Sequence, residues 1–402
     1  MKIEYRVPTE DEFAAVLRTT HTAFGEELKD KDLERHRKMM PLDRLLVAWD
    51  GDRPVGVTGS YPFELTTPGG SGKAAGVSWV GVLPSHRRRG ILRELMLRQL
   101  EDVHERGEPF AILYASESVI YGRFGYGMAV LGTQMDANRN AFALRDDPGP
   151  RGSARLLTID EAAEAFPPLY ERLRRSRPGY LGRTDGWWRQ YRLADPEHWR
   201  EGAGPKNYAL IELDGEPAGF AMYRVASKWE DETPKGEVRV VDAHAVSPEA
   251  TAELWRFLFG IDLVERVKSG LVDPAWPLLH LVKDPRRLKI SVSDGLWLRF
   301  VDLEAALRAR TYADSEPAVL EVTDGVREGN SGRWSIGPEP GRTDDEPDVA
   351  VDVADLASAY LGAFSFERLA AAGRAKERRP GGLARATALF ATPLPPYCPE
   401  GF

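Results

Sequence analysis

The stretch VLPSHRRRGIL, residues 82–92, sets three consecutive arginines directly before a glycine. Beyond Gly90 the pairs Ile91/Leu92, Leu95/Met96 and Gln99/Leu100, then Val103, recur at helical spacing, with Arg93, Glu94, Arg98 and Glu101 on the other side. This predicts an amphipathic helix opening at residue 91. Ahead of it, AGVSWVGVLP reads as a strand closed by Pro84. A turn that follows a strand and opens a helix presents free backbone N–H groups and the positive end of the helix dipole. Gly90 lets the backbone approach a ligand closely, and Arg87, Arg88 and Arg89 add charge. The junction suits a pyrophosphate; the competing reading is a solvated charge run.

Outward from the junction, Thr9 and Glu12 have capping-box spacing, and Phe13, Val16, Leu17 and Phe24 follow at helical intervals. RLLVAWDGDRPVGVTGSYPFELTT reads as two strands around Asp50-Gly51. EPFAILYAS is short and nearly all apolar, the pattern of a strand buried on both faces. Helix, antiparallel strands, loop, helix and central strand make an α/β layered domain.

The chain of 402 residues is too long for one core and carries 10 Trp, 13 Tyr and 15 Phe with which to fill several. A formal net charge of -8 argues against nucleic acid as a partner and favours cationic ligands. The opening MKIEYRVPTEDEF has no apolar leader core, and no window reaches the ~18 apolar residues of a membrane span, so a cytoplasmic location is expected. Cys398, the only cysteine, has no partner for a disulfide or a thiolate cage. His21, His36, His86, His104, His198, His244 and His280 show no metal-ligand spacing, so no metal is expected. GRFGYG spaces its glycines G-x-x-G-x-G and reads as a loop, not a dinucleotide fingerprint. No G-x-S-x-G elbow occurs.

LVAWDGDRPVGV (46–57) recurs as ALIELDGEPAGF (209–220), with Asp50 and Asp214 164 positions apart (214 − 50). At that offset Pro84 falls on Pro248, whereas Arg87, Arg88, Arg89 and Gly90 fall on Thr251, Ala252, Glu253 and Leu254. The second copy is therefore expected to lack the phosphate cradle. LRDDPGPRGSAR (144–155) reads as the linker between copies.

The strand with Val82 and Pro84, then Arg87-x-x-Gly90-x-Leu92, resembles the acetyl-CoA signature of GNAT N-acetyltransferases, departing where Leu92 replaces the usual Gly or Ala. YASESVIYGRFGYG (114–127), SHRRRGILRELM (85–96), DGLWLRFVDLEAALRAR (294–310) and the terminal Phe402 extend the likeness over the whole chain, which resembles the Eis (enhanced intracellular survival) family. The resemblance implies an α/β (α+β) protein of tandem GNAT domains plus a C-terminal sterol-carrier-protein-like domain. The boundaries expected are 1–145 for the catalytic copy, 146–290 for a degenerate central copy and 291–402 for the third domain.

It also implies acetyl-CoA as cosubstrate and amines of polycationic, aminoglycoside-like molecules as acceptors, at several positions, with lysine side chains as others. By the family pattern Val80, Gly81 and Val82 hold the acetyl and pantetheine arm, Arg87, Arg88, Arg89, Gly90, Ile91, Leu92 and Arg93 surround the pyrophosphate, and Ser116 and Glu117 lie against the cofactor. Tyr121 is the implied acid and the Phe402 carboxylate the implied base. A phenol, with pKa about 10, keeps its proton at neutral pH, but the residues alone leave Tyr114, Tyr121 and Tyr126 equally open. Phe402 ends a proline-stiffened apolar tail, LPPYCPEGF, suited to docking; burial there would raise the carboxylate pKa and make it a better base. Phe24, Glu26 and Trp79 are the implied amine pocket. Glu400 joins them, although Gly401 separates it from Phe402 where family members place an acid directly before the terminal residue. A homo-hexamer is implied as well. The rival reading is a non-enzymatic scaffold whose third domain binds a lipid.

Overall fold

The hairpin expected around Asp50-Gly51 forms from Leu45–Asp50 and Arg53–Thr67, closed by Asp50 opposite Arg53. In the computed structural model, which describes residues 3–147, 149–275 and 277–402, this hairpin lies in a seven-stranded sheet. Its order is Glu4–Arg6, Leu45–Asp50, Arg53–Thr67, Gly70–Val82, Phe110–Tyr114, Leu296–Phe300 and Gly127–Met128. Gly70–Val82 and Phe110–Tyr114 pair in parallel, and the connection between them carries helix Ile91–Glu105. That helix buries Ile91, Leu95, Met96, Gln99, Leu100 and Val103, the stripe read from the sequence, with Leu92 half-buried at its edge. Phe110, Ala111, Ile112 and Leu113 are at most 1% exposed, as a strand covered on both faces requires. Helix Phe13–Phe24 is entered through the capping box, Thr9 N–H donating to Glu12 Oε2 at 2.8 Å. Its last apolar residue, Phe24, departs from the stripe and is 45% exposed.

The chain divides into two compact units, residues 1–130 with 295–402, and 131–294. Both ends of the second unit depart from the boundaries read from the sequence. Leu131–Asn138, ahead of the boundary at 145, pairs with Val264–Ser269 and Ile290–Asp294 in a second seven-stranded sheet. Leu296–Phe300, beyond the boundary at 291, pairs with Phe110–Tyr114 in the first. Of the linker 144–155, Pro148 lies outside the described residues and Gly152 onward forms an edge strand, Gly152–Leu157.

A five-stranded sheet, Gly341–Arg342, Gly332–Ile336, Ala318–Thr323, Val349–Asp352 and Ala375–Glu377, belongs to the same unit as the first sheet. Arg299 and Asp324, both fully enclosed, pair at 2.7 Å between the two. Asp324 also accepts from the N–H groups of Val326 and Arg327 at 2.9 and 3.0 Å, partners without which a buried charge pair would be costly. Among the described residues no helix is long and apolar enough to cross a membrane.

Candidate active site

The two parallel strands of the first sheet stay paired only through Ala74/Phe110, Ala75/Ala111 and Gly76/Ile112. Gly70–Val82 then runs six residues further and Phe110–Tyr114 two, with no pairing between them. The strands part, and backbone groups of the longer one lose their ladder partners on that side. On its other side the register with Arg53–Thr67 slips between Val57/Gly81 and Gly59/Ser78, a bulge with Trp79 at φ +59. A tryptophan in the left-handed region carries strain of about 1–3 kcal/mol, of the kind found beside ligand sites. Val80 lies in this bulge with Trp79, and Gly81 and Val82 follow it directly.

Leu83–Gly90 then lead to the helix. Gly90, at φ +81, is its N-cap and accepts no side-chain cap, so the first-turn N–H groups keep their donor capacity. A Cβ on Gly90 would meet nothing within 4 Å, so the turn is open on that side. Arg87 is committed to the protein: Nε donates to the Val82 carbonyl at 3.3 Å and Nη2 to that of Ala23 at 3.4 Å. Arg88, at φ +61, Arg89 and Arg93 are exposed around the helix start. Ile91 is buried, and Leu92, where the signature departs from Gly or Ala, packs into the same cluster as Val80.

Across the gap, Ser116 and Glu117 are exposed, one turn before Tyr121. The Tyr121 ring is 5% exposed and packs with Val80, Leu92 and Met96. Burial raises its phenol pKa; a hydrogen bond with Ser116 opposes that rise and the Glu117 charge adds to it. The three tyrosines left open by the sequence differ here. Tyr126 is 1% exposed with its hydroxyl unpartnered, and Tyr114 donates to the Cys398 carbonyl at 3.3 Å. Of the three, Tyr121 is the one whose hydroxyl meets an exposed residue.

Phe402 is docked. Its ring lies 5.1 Å from Phe63 and 5.6 Å from Tyr114, the latter edge-on at 83°. A Cβ on Gly76 would come within 2.5 Å of Phe63 and 3.2 Å of Phe402, so the tail seats where the strands part and depends on glycine there. Glu400 is 0% exposed, enclosed near Tyr114 and not open to solvent as a free acidic group. The candidate amine pocket lies at the end of helix Phe13–Phe24. Phe24 reaches 3.7 Å from where a Gly81 Cβ would stand, and Glu26, 65% exposed, faces His21 Nδ1 at 3.4 Å. Trp79 packs on Phe13 at 6.2 Å and on His36 at 5.2 Å. His21 and His36 are the site residues that sequence reading missed. Burial, helped by Arg35, lowers the His36 pKa to about 4, so its ring is neutral at physiological pH. Only the packing of helix Asp30–Met39 brings it to Trp79. Among the described residues no group of three or more His, Cys, Asp or Glu converges as a metal site.

The second copy repeats the hairpin one position earlier than the sequence offset: Leu213 faces Glu216 as Asp50 faces Arg53, an offset of 163 (213 − 50). Its strand ends at Ala245, as the first ends at Val82, and helix Pro248–Gly260 starts after two residues instead of eight. Thr251, Ala252, Glu253 and Leu254 therefore do not stand in for Arg87–Gly90; they lie inside this helix, and the loop itself is missing. Ser247 Oγ caps the helix by accepting from Ala250 N–H at 3.1 Å. A cavity of about 450 Å³ at this helix start is lined by Arg145, Arg151 and Arg256 but also Asp146, Glu249 and Glu253. Such a balance offers no net attraction to a diphosphate.

Models of GNAT acetyltransferase domains match residues 4–129 and 179–300, and a sterol carrier protein domain matches 303–399. An uncharacterized N-acetyltransferase of Streptomyces avermitilis is 40% identical over 412 residues, covering both chains in full. N-acetyltransferase Eis of Mycobacterium tuberculosis is 35% identical over 407 residues, covering 96% of each chain. The crystal structure of Eis1 from Mycobacterium abscessus is 34% identical, with a TM-score of 0.86 over all of both chains.

Proposed function

Because this chain belongs to the Eis family of GNAT N-acetyltransferases, we propose that it transfers the acetyl group of acetyl-CoA to primary amines of polycationic, aminoglycoside-like small molecules. More than one amine of the same molecule, and lysine side chains, fall within this reading. The observation that carries it is the parted strand leading into an uncapped helix start, with Arg88 exposed beside Gly90. The residues present fit the cosubstrate: a diphosphate takes the first-turn N–H groups and Arg88, and the gap-facing backbone of Val80–Val82, which has no strand partner on that side, takes the amide arm. Bound acetyl-CoA supplies an activated thioester carbonyl; the rest is the work of the chain.

An alkylammonium, with pKa near ~10.4, must lose a proton before it attacks. The Phe402 carboxylate accepts that proton, and the Tyr121 phenol returns one to the departing thiolate. Backbone N–H at the bulge is the donor we assign to the oxygen on which charge develops. Glu26 supports the choice of a cationic acceptor, and the exposed Phe24 offers an aromatic face to an ammonium, whereas Trp79 is buried against Phe13 and His36. Family membership also supports a homo-hexamer in the cytoplasm.

A thiol-release assay with acetyl-CoA and a panel of aminoglycosides, polyamines and lysine peptides tests the reading; no amine-dependent release from any of them overturns it. Arg88→Glu places a like charge beside the diphosphate and should weaken acetyl-CoA binding about tenfold or more, read by calorimetry, with the fold intact. Parental affinity would reduce the arginine run to a solvated face. With the cradle loop missing from the central copy, titration should saturate at one acetyl-CoA per chain, and a ratio of two would sink its degeneracy.

A further inference from the structure

The last ten residues are held unevenly. Pro396, Tyr397, Cys398, Pro399 and Glu400 are buried, and Gly401 and Phe402 are half-buried at the end of the run. A terminal carboxylate that follows a glycine has few constraints of its own, and misplacement of a reacting group by 1 Å costs up to about 10²-fold in rate. Something must aim it.

Tyr114 touches the tail at two points four residues apart. Its hydroxyl donates to the Cys398 carbonyl at 3.3 Å, and its ring packs edge-on against Phe402 at 5.6 Å. Its own backbone is fixed, since Tyr114 is the last residue of Phe110–Tyr114 and pairs with Leu296 on the side away from the gap. Phe63 closes the slot from the other side at 5.1 Å, and Gly76 leaves the room for it. Burial, with the Cys398 side chain and the Glu400 charge nearby, raises the Tyr114 phenol well above its ordinary range, so the donor keeps its proton wherever the protein works.

We infer that Tyr114 is a positioning residue for the terminal carboxylate, pinning the tail at the Cys398 carbonyl and at the Phe402 ring so that the chain end faces the gap between the parted strands. The inference rests on the reading of Phe402 as the base. Tyr114 does not itself exchange a proton with either substrate.

The test is a double-mutant cycle on the full chain, with Tyr114→Phe, Tyr114→Leu and a semisynthetic carboxamide at Phe402, singly and combined. Tyr114→Leu should lower kcat about 10²-fold and Tyr114→Phe, which keeps the ring, about tenfold, while the Kd for acetyl-CoA at the Arg88–Gly90 turn stays parental. In the carboxamide enzyme neither substitution should lower kcat further, because there is no carboxylate left to aim. If Tyr114→Leu costs the same factor in both backgrounds, Tyr114 acts independently of the chain end and the inference fails, while the base reading stands. If the carboxamide alone leaves kcat unchanged, the base reading fails and the inference with it. Should Tyr114→Leu not fold, Tyr114→Phe completes the cycle.

Discussion

Converting the Phe402 carboxylate to a carboxamide should lower turnover by about 10² to 10⁴, the range that general-base catalysis contributes, and should leave acetyl-CoA affinity unchanged. An amide accepts no proton at any working pH, yet it alters almost no volume, so the ring contacts with Phe63 and Tyr114 persist. Glu400 remains in the carboxamide but is 0% exposed, so its carboxylate is poorly placed to take over. Rates measured across the pH range decide the matter: the acidic limb that reports protonation of the base should vanish from the amidated enzyme. Parental turnover at every pH would assign the proton to a side chain or to a water relay.

Tyr121→Phe is expected to have an effect of the same order, about 10² to 10⁴ in kcat, because it removes the proposed acid and leaves the ring. The ring keeps its place beside Val80, Leu92 and Met96, and the lost hydrogen bond to Ser116 costs only about 1 kcal/mol of stability. The sign of the pH dependence follows from the raised pKa. The phenol is the active, protonated form below its pKa, so activity should hold through neutral pH and fall only as pH rises beyond the ordinary phenol value of about 10. That alkaline limb should be absent from Tyr121→Phe. Tyr126→Phe serves as the control, since the Tyr126 hydroxyl is enclosed without a partner. A Tyr121→Phe enzyme that turns over like the parent would pass the role of acid to another donor.

Features legible in the sequence share a short range. The capping box at Thr9 and Glu12, the turn at Asp50-Gly51, the helix from Ile91 and the buried strand at Phe110 each depend on neighbours a few positions apart. The turn at Gly90 was legible for the same reason, since strand, turn, glycine and helix are contiguous. The repeat was legible as a pattern, but its fixed offset misplaced residues 251–254, because an offset does not register a deleted loop.

By itself, then, the sequence determined the local elements, the strand–turn–helix junction at Gly90 and, through its motifs, the family. Tertiary structure alone decided that Leu131–Asn138 joins the second sheet and Leu296–Phe300 the first, since backbone N–H and C=O groups are alike in every strand and an apolar run fits many partners. It also decided where the strands part after Gly76, which of three tyrosines meets an exposed residue, and that His36 faces Trp79. The docked chain end is the extreme case. Phe402 meets Phe63, Gly76 and Tyr114 across hundreds of positions of sequence, and only the packing of a glycine-sized gap against three rings makes a frayed terminus into a fixed one.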